Sequence, residues 1–367
     1  MQTIKGKILG VQSIFKMNIN VLARFLPVFS FIPPLLILYF LYPLSFEQTY
    51  HGRTLLLFFL WLVFLEMILS WEKFRKSNMV KLTSIRTVLF IIALLLPTIY
   101  VIAANYWGLN AIIENSVKQI LSPQDPLKDH HASLIPLSIE YLVFAVLFGF
   151  ITQLLYGINN LMDFSLSTFF LGTIGVLFAI DLLYPYGRFT PLQVLVPATA
   201  TIAARVLNLM GYETTYRIFN DPIQGSFPYL GIKDRSWAGF GIAWPCSGVE
   251  SLLIYIVTIL LFLKKTDIPW RHRIIYFAVG AVVTYFVNVL RVVTLFLIAV
   301  EKGPSFNTLD YDWQKFHNYY GMLYSITWII SYPLTIIGSR VLWRKIINWK
   351  TYTKSGSNLS IQTRLTE

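Results

Sequence analysis

Long stretches of hydrophobic residues, separated by short polar segments, dominate the chain. Nine such stretches are visible, at 25–44, 54–71, 88–107, 134–156, 165–184, 191–210, 247–263, 274–300 and 318–343. Most are close to the roughly 20 residues that an α-helix needs to cross the hydrocarbon core of a bilayer. The pattern therefore predicts an all-α fold, a polytopic transmembrane helical bundle.

Basic residues are clustered in three of the polar segments, after the second, the seventh and the last stretch. The clusters consist of Lys73, Arg75, Lys76, Lys81 and Arg86, of Lys264, Lys265, Arg271 and Arg273, and of Arg340, Arg344, Lys345, Lys350 and Lys354. Lysine and arginine accumulate in the cytoplasmic loops of membrane proteins. We therefore expect all three clusters in the cytoplasm, and the starts of the seventh and ninth stretches, near Cys246 and His317, on the opposite face.

With both termini in the cytoplasm the number of spans is even, so we expect about eight. One of the stretches 134–156, 165–184 and 191–210 then lies at the interface or re-enters the membrane, or two of them share one span.

Four regions follow from this topology. They are a cytoplasmic N-terminal lead without a cleavable signal peptide (1–24), N-terminal transmembrane helices (25–210), an outer loop with the last three spans (211–345) and a cytoplasmic polar tail (346–367). The outer loop, 211–243, is polar and contains Gly and Pro, and we expect it to cover a substrate groove. The Ser- and Thr-rich end, 351–367, is expected to be disordered.

Composition supports a membrane protein and argues against a nucleic-acid-binding one. Hydrophobic residues make up 56% of the chain and charged residues only 13%. A soluble fold would lack the polar residues to cover its exterior. The net charge of +12 comes from clusters between spans rather than from a single basic patch, so we expect membrane lipids and no nucleic acid as partners.

Apart from Arg340, which belongs to the third basic cluster, six charged residues lie inside the hydrophobic stretches, where charges are costly and tend to face a partner or a cavity. They are Glu66, Glu140, Asp181, Arg205, Glu250 and Arg291. The first four are interpreted as structural or interfacial. Arg291 differs, because Thr284, Asn288 and Arg291 follow the i, i+4, i+7 spacing of one helix face. A polar stripe on an apolar helix indicates a lined cavity.

The single cysteine, Cys246, follows Pro245 at the start of the seventh stretch, so an intramolecular disulfide is excluded. Proline favours the first helical turn, where the helix dipole lowers a thiol pKa. A carboxylate such as Glu250 one turn later acts in the opposite direction. His317, at the start of the ninth stretch, can accept or donate the proton of a nucleophilic thiol. Gly321, one turn further on, permits close helix approach.

Cys246, Arg291 and His317 thus lie on three consecutive spans at one membrane depth, and an arginine there could stabilise a thiolate or an oxyanion. Other histidines, His51, His130, His131 and His272, have no such placement. The His130–His131 pair is interpreted as solvated on a polar loop. Because nothing completes a ligand set, we expect no metal and no cofactor.

Three short motifs on these spans resemble those of the exosortase/archaeosortase family. They are Pro245-Cys246-Ser247-Gly248, the Asn-x-x-Arg motif from Asn288 to Arg291, and the His-x-x-x-Gly motif from His317 to Gly321. The resemblance covers roughly 190–343, and no motif extends it before that range. Many relatives carry a basic or neutral residue where this chain has Glu250.

The resemblance implies a membrane transpeptidase or protease of about eight spans, in the cell (inner) membrane of a bacterium or archaeon, with its active site on the non-cytoplasmic face. Its partner would be the C-terminal sorting signal of an exported protein, which consists of a short motif, a transmembrane helix and a basic tail. Cys246 would be the nucleophile that forms a thioester acyl-enzyme, Arg291 the electrostatic partner and His317 the general acid/base. Asn288, Gly248, Gly321 and Glu250 would support them, and Arg205 is a candidate for binding the acidic part of the substrate.

Two other classes fit the same pattern of intramembrane charges. A transporter or flippase for a lipid-linked glycan would tolerate loss of Cys246 and depend on Glu66, Asp181 or Arg205. A polytopic glycan polymerase or ligase would need no cysteine and would carry its arginines on a larger outer loop.

Overall fold

The computed structural model describes residues 24–69, 84–121, 128–157, 164–184, 190–221, 225–264 and 266–364. Most of the first basic cluster, Lys265 and nearly all of the N-terminal lead lie outside these residues.

Helices account for most of the described chain. In chain order they are α1 (Leu26–Phe29), α2 (Ile32–Leu41), α3 (Thr54–Leu69), α4 (Ser84–Tyr106), α5 (Leu109–Ile120), α6 (Lys128–Tyr156), α7 (Ser165–Leu183), α8 (Val196–Leu209), α9 (Val249–Lys264), α10 (Trp270–Lys302), α11 (Tyr311–Lys315) and α12 (Gly321–Arg364). Each of the nine hydrophobic stretches thus contains a helix, as the sequence predicts. The amphipathic α5 was not expected.

Five helices of the described chain are long and apolar enough to cross a membrane. They span Ile85–Tyr106, Lys128–Tyr156, Ser165–Leu183, Trp270–Ser305 and Tyr311–Trp343. Shorter apolar helices lie at Leu26–Leu41, Thr54–Ile68 and Gln193–Leu209. The chain is therefore a mostly helical integral membrane protein, while the total of about eight spans stays a prediction.

The outer loop is not irregular, which corrects the all-α expectation. It folds into a three-stranded antiparallel sheet in the order β1 (Thr214–Asp221), β2 (Gly225–Ile232) and β3 (Arg235–Gly241). Pro228 argues against a central strand, because proline lacks the amide proton that a ladder needs. It lies just beyond the last β2–β3 pair, Tyr229 with Gly241, so the missing donor does not interrupt that ladder.

The C-terminal end also differs from its prediction, because α12 continues as a helix to Arg364 instead of becoming disordered after 350. The physical reason is that a helix already nucleated by a long apolar segment gains one hydrogen bond for each residue added.

Two hydrophobic cores divide the molecule. The first joins α1–α4, α6 and α7 with α9 and the middle of α12. The second joins α8, the sheet, α10 and the segment around Trp313. Helices α9, α10 and α12 pack against one another. The second motif lies within α10, while the first lies just before α9 and the third at the start of α12. The segment from Trp244 to Cys246 connects the sheet with α9, where the two cores meet.

Candidate active site

A cavity of about 580 Å³ is lined by Cys246, Arg291 and His317. Each belongs to a different element, and 71 residues of chain separate the first from the last. The walls also include Glu250 and Asp181, together with His51 and the His130–His131 pair. The structure thus places in one cavity the three side chains that the motifs single out.

Cys246 is half-buried in a 3₁₀ turn that runs from Trp244 to Ser247. Its carbonyl oxygen accepts a hydrogen bond of 2.8 Å from Asn288 Nδ2. Gly248 follows with a φ of 93°, in the left-handed region, and a Cβ there would lie 2.9 Å from Asn288 Nδ2. Both the backbone angle and the close approach of Asn288 therefore require glycine.

Because Gly248 separates the turn from α9, Cys246 does not occupy the first turn of that helix as expected. Burial raises the pKa of the Cys246 thiol, and Glu250 raises it further, while Arg291 opposes both effects. Cys246 therefore does not lie in the helical turn where the dipole of α9 was expected to lower its pKa. The thiol is mainly neutral at rest and needs a base when it reacts.

Arg291 is buried on α10 with the two other members of its polar stripe, Thr284 and Asn288. Its Nη2 atom donates a hydrogen bond of 2.7 Å to the carbonyl oxygen of His317. A Cβ on Gly321 would lie 2.8 Å from Cγ and Nε of Arg291. The glycine of the third motif thus leaves room for the arginine of the second.

His317 lies in a π-helical turn, Phe316–Tyr320, between α11 and α12. Such turns occur frequently at functional sites. The imidazole stacks on Trp313, with ring centroids 5.0 Å apart and an interplanar angle of 21°. The stacking orients the ring at the cavity, and the hydrogen bond from Arg291 to the backbone carbonyl anchors the turn that carries it.

Several buried polar atoms around Cys246 have no hydrogen-bond partner among the described residues. They are Glu250 Oε1, Asn288 Oδ1, Arg291 Nε and His317 Nδ1. Buried polar groups are almost always paired in native proteins, so a group left unpaired needs an explanation. Four such atoms around one thiol indicate a site built to bind the polar groups of another molecule.

Glu250 also lines the cavity, and its Oε1 atom is buried without a hydrogen-bond partner in the described chain.

Sequence reasoning missed two residues of this cavity, Asp181 and His51. Asp181 accepts hydrogen bonds from the Tyr50 hydroxyl and from Trp244 Nε1. His51 Nε2 lies 3.2 Å from Asp181 Oδ2. The position of Asp181 within an apolar stretch was the only sequence signal for this group. Burial, and then the charge of Asp181, raise the pKa of Tyr50 well above its usual range, so Tyr50 stays a neutral donor.

His130 and His131 also differ from their interpretation, because they belong to α6 rather than to a polar loop. Both line the cavity, and His131 is buried.

Arg205 does not line the cavity and is exposed, so its expected contact with substrate is not supported. The buried face of α8 consists of Val196, Thr199, Ala200, Ala203, Ala204 and Leu207. Position 205 falls on the opposite side of a helix with 3.6 residues per turn.

Glu66 and Glu140 have the structural roles that the sequence suggests. Glu66 accepts hydrogen bonds from the amide of Leu166 and the hydroxyl of Ser167, in the first turn of α7. Glu140 forms a buried, bidentate ion pair with Arg53, with N–O distances of 2.8 and 2.9 Å.

Comparison with protein-family models gives a match to the transmembrane exosortase family (Exosortase_EpsH) over residues 44–332. Searches among curated proteins and among solved structures give no significant match. The family match includes the three motifs and extends far into the N-terminal half, where the sequence offered no motif. Because it covers most of the chain, the protein belongs to the transmembrane exosortase family.

Proposed function

We propose that this exosortase-family protein is a cysteine transpeptidase that cleaves the C-terminal sorting signal of exported proteins. The observation that carries the proposal is the shared cavity of Cys246, Arg291 and His317, with buried polar atoms left unpaired around the thiol. A nucleophile with a base within one pocket is the arrangement that covalent catalysis by a thiol requires.

The first half of the reaction forms a thioester. His317 takes the proton of Cys246, and the sulfur attacks the scissile carbonyl carbon. The peptide C–N bond breaks, and His317 returns the proton to the leaving amine. Arg291 presents an unpaired Nε–H to the cavity, which stabilises negative charge on the thiolate or the oxyanion.

The basic clusters support an active site on the non-cytoplasmic face. If the clusters lie in the cytoplasm, Cys246 and His317 lie at the opposite ends of their spans. This side of the membrane is the one that an exported substrate reaches. The transmembrane helix of the sorting signal would remain in the bilayer. The short motif that precedes this helix would enter the cavity.

Processing of a sorting-signal reporter in cells tests this function. Reporters would carry the C-terminal 60 or so residues of exported proteins that end in a transmembrane helix and a basic tail, about the length of such a helix with its flanks. We expect the wild type to shorten a reporter, and Cys246→Ser, Arg291→Ala and His317→Ala to leave it at full length at matched expression.

Two variants serve as matched controls. Arg205→Ala removes an exposed arginine outside the cavity, and His272→Ala removes a histidine that lines a different pocket, beside Pro269 and Arg340. Both should process the reporter as the wild type does. Normal processing by Cys246→Ser would refute the assignment of Cys246 as the nucleophile. It would favour the alternative function, a transporter of lipid-linked glycans.

A further inference from the structure

His51 lies between two cavities. One is the cavity of Cys246, and the other, of about 560 Å³, shares His51 and Leu134 as wall residues. The second cavity has a mixed lining, in which leucine and proline side chains alternate with polar ones. It includes Tyr42, Ser45, Gln48, Arg53, Asn110 and Glu114. Such a wall suits a molecule that carries hydroxyl or amine groups.

The backbone of His51 is strained. Its φ of 49° makes it the one non-glycine residue of the described chain in the left-handed region. Strained backbone persists where surrounding contacts enforce it, and it is concentrated at functional sites. The enforcing contacts here are the stacked ring of Tyr50, 4.1 Å away, and the edge-on ring of Phe178, 5.0 Å away.

Asp181 lies directly beside the imidazole. The carboxylate is buried, accepts hydrogen bonds from Tyr50 and Trp244, and lies 3.2 Å from His51 Nε2. This contact has no hydrogen-bond geometry in the described chain, so the carboxylate acts on the ring through its charge and proximity. A proton on the nitrogen that faces Asp181 leaves the lone pair of Nδ1 as a base. Trp244 belongs to the same turn as Cys246, so the dyad and the nucleophile are attached to one segment.

A transpeptidase needs a second proton transfer, because the nucleophile that resolves the thioester must lose a proton as it attacks. We propose that His51, beside Asp181, removes this proton from an acceptor amine or hydroxyl that arrives through the second cavity. This inference rests on the proposed function and adds to it a base, a positioning residue and a route for the acceptor.

The step balances in atoms and protons. The acceptor nitrogen or oxygen attacks the thioester carbonyl carbon, and its proton passes to His51 Nδ1. The C–S bond then breaks, and the electron pair leaves with the Cys246 sulfur. The proton returns from His51 to the thiolate, which restores the neutral thiol.

His51→Asn is the decisive variant, because asparagine tolerates a positive φ and so preserves the backbone while it removes the imidazole. The assay follows a single turnover of purified protein on a reporter that the wild type processes. We expect His51→Asn to cleave the sorting signal at a rate near that of the wild type. Release from the enzyme should fall about 100-fold, the range of one general base, so that a reporter–Cys246 thioester accumulates.

Hydroxylamine separates a catalytic role from a structural one. It attacks thioesters without help from a base, so it should release the trapped reporter from His51→Asn and from Asp181→Asn at similar rates. His272→Asn, with a histidine outside both cavities, should release product as the wild type does.

Three outcomes would overturn the inference and leave the proposed function standing. They are normal release by both His51→Asn and Asp181→Asn, loss of the first cleavage in either variant at normal expression, and a failure of hydroxylamine to restore release. By contrast, cleavage by Cys246→Ser in the same assay would refute the proposed function itself.

Discussion

At the scale of residues, two glycines shape the site by what they lack. Gly248 permits a left-handed turn and the approach of Asn288, and Gly321 admits the side chain of Arg291. Neither glycine lines the cavity of Cys246. Gly248 instead leaves room for the Asn288 side chain, and Gly321 for that of Arg291. Their presence in the motifs therefore has a steric cause.

Gly321→Ala should displace Arg291, because the new methyl group would lie 2.8 Å from Cγ and Nε of that side chain. Displacing a positioned catalytic group by about 1 Å costs up to about 100-fold in rate, so we expect a loss of about 10- to 100-fold in reporter processing. Gly338→Ala is the matched control, since Gly338 also lies in α12 and a Cβ added there would meet no atom of the described residues within 4 Å. Equal activity of the two variants would contradict the steric explanation.

Ionisation of Cys246 gives a second prediction, and the chain's single cysteine makes alkylation specific to it. Its pKa is raised, so the thiol is neutral below that pKa, and the rate of reaction with iodoacetamide should climb with pH beyond the usual thiol range near about 8.5. Arg291→Gln should move the midpoint to higher pH, because it removes the charge that lowers this pKa. Glu250→Gln should move it to lower pH.

The pH profile of alkylation in detergent measures the direction of both shifts. Arg205→Gln, which removes an exposed charge on α8, should leave the midpoint unchanged. Shifts of Arg291→Gln and Glu250→Gln in the same direction would show that the two charges do not act on the thiol as the structure indicates.

At the scale of elements, side chains far apart in sequence hold the cavity walls in place. The sheet is fixed to α10 by the stacked rings of Phe240 and Phe296, 4.0 Å apart, and β3 leads directly to the turn of Cys246. On the opposite wall, the segment before α3 is tied to α6 by the ion pair of Arg53 and Glu140.

Removing one partner of this ion pair should destabilise the protein more than replacing both partners by apolar residues. Glu140→Gln leaves the buried charge of Arg53 without its counterion, which costs about 3–5 kcal/mol. The double variant Arg53→Met with Glu140→Leu leaves no unpaired charge, so it should unfold at a higher temperature than Glu140→Gln. Thermal unfolding in detergent measures the difference, and a double variant less stable than the single one would contradict the argument.

At the scale of the whole molecule, the membrane determines the organisation. The 33-residue α10 is about 50 Å long, which exceeds the roughly 30 Å hydrocarbon core of a bilayer. A helix of this length would extend beyond the core on both faces of the membrane. One end carries Arg271, from a basic cluster, and the other precedes Asn307 and the turn of His317.

Single-cysteine labelling tests this orientation on a Cys246→Ser background. A membrane-impermeant maleimide should label Asn307→Cys in intact cells and Arg271→Cys only after permeabilisation, since both positions are exposed on opposite ends of α10. Both should react in detergent, which serves as the control. Labelling of Arg271→Cys alone in intact cells would show that the topology is reversed. Labelling of both positions in intact cells would exclude the proposed topology.

The membrane class, a helix in each hydrophobic stretch and the proximity of Cys246, Arg291 and His317 could all be predicted from the amino-acid sequence. Hydrophobic length and helical spacing are local properties, so they can be read without knowledge of the fold. The topology argument could also place Cys246, Arg291 and His317 near one another, because consecutive spans connected by short loops are neighbours in space.

Which other residues line the cavity of Cys246 depends on the folded arrangement alone. Asp181 and Tyr50 are 131 positions apart, and no local pattern predicts their contact. Local patterns also do not predict the exposure of Arg205 or the sheet. The central strand of the sheet contains Pro228, which argues against a strand at that position. The raised pKa of Cys246 likewise depends on burial, which arises when distant elements pack together and exclude water.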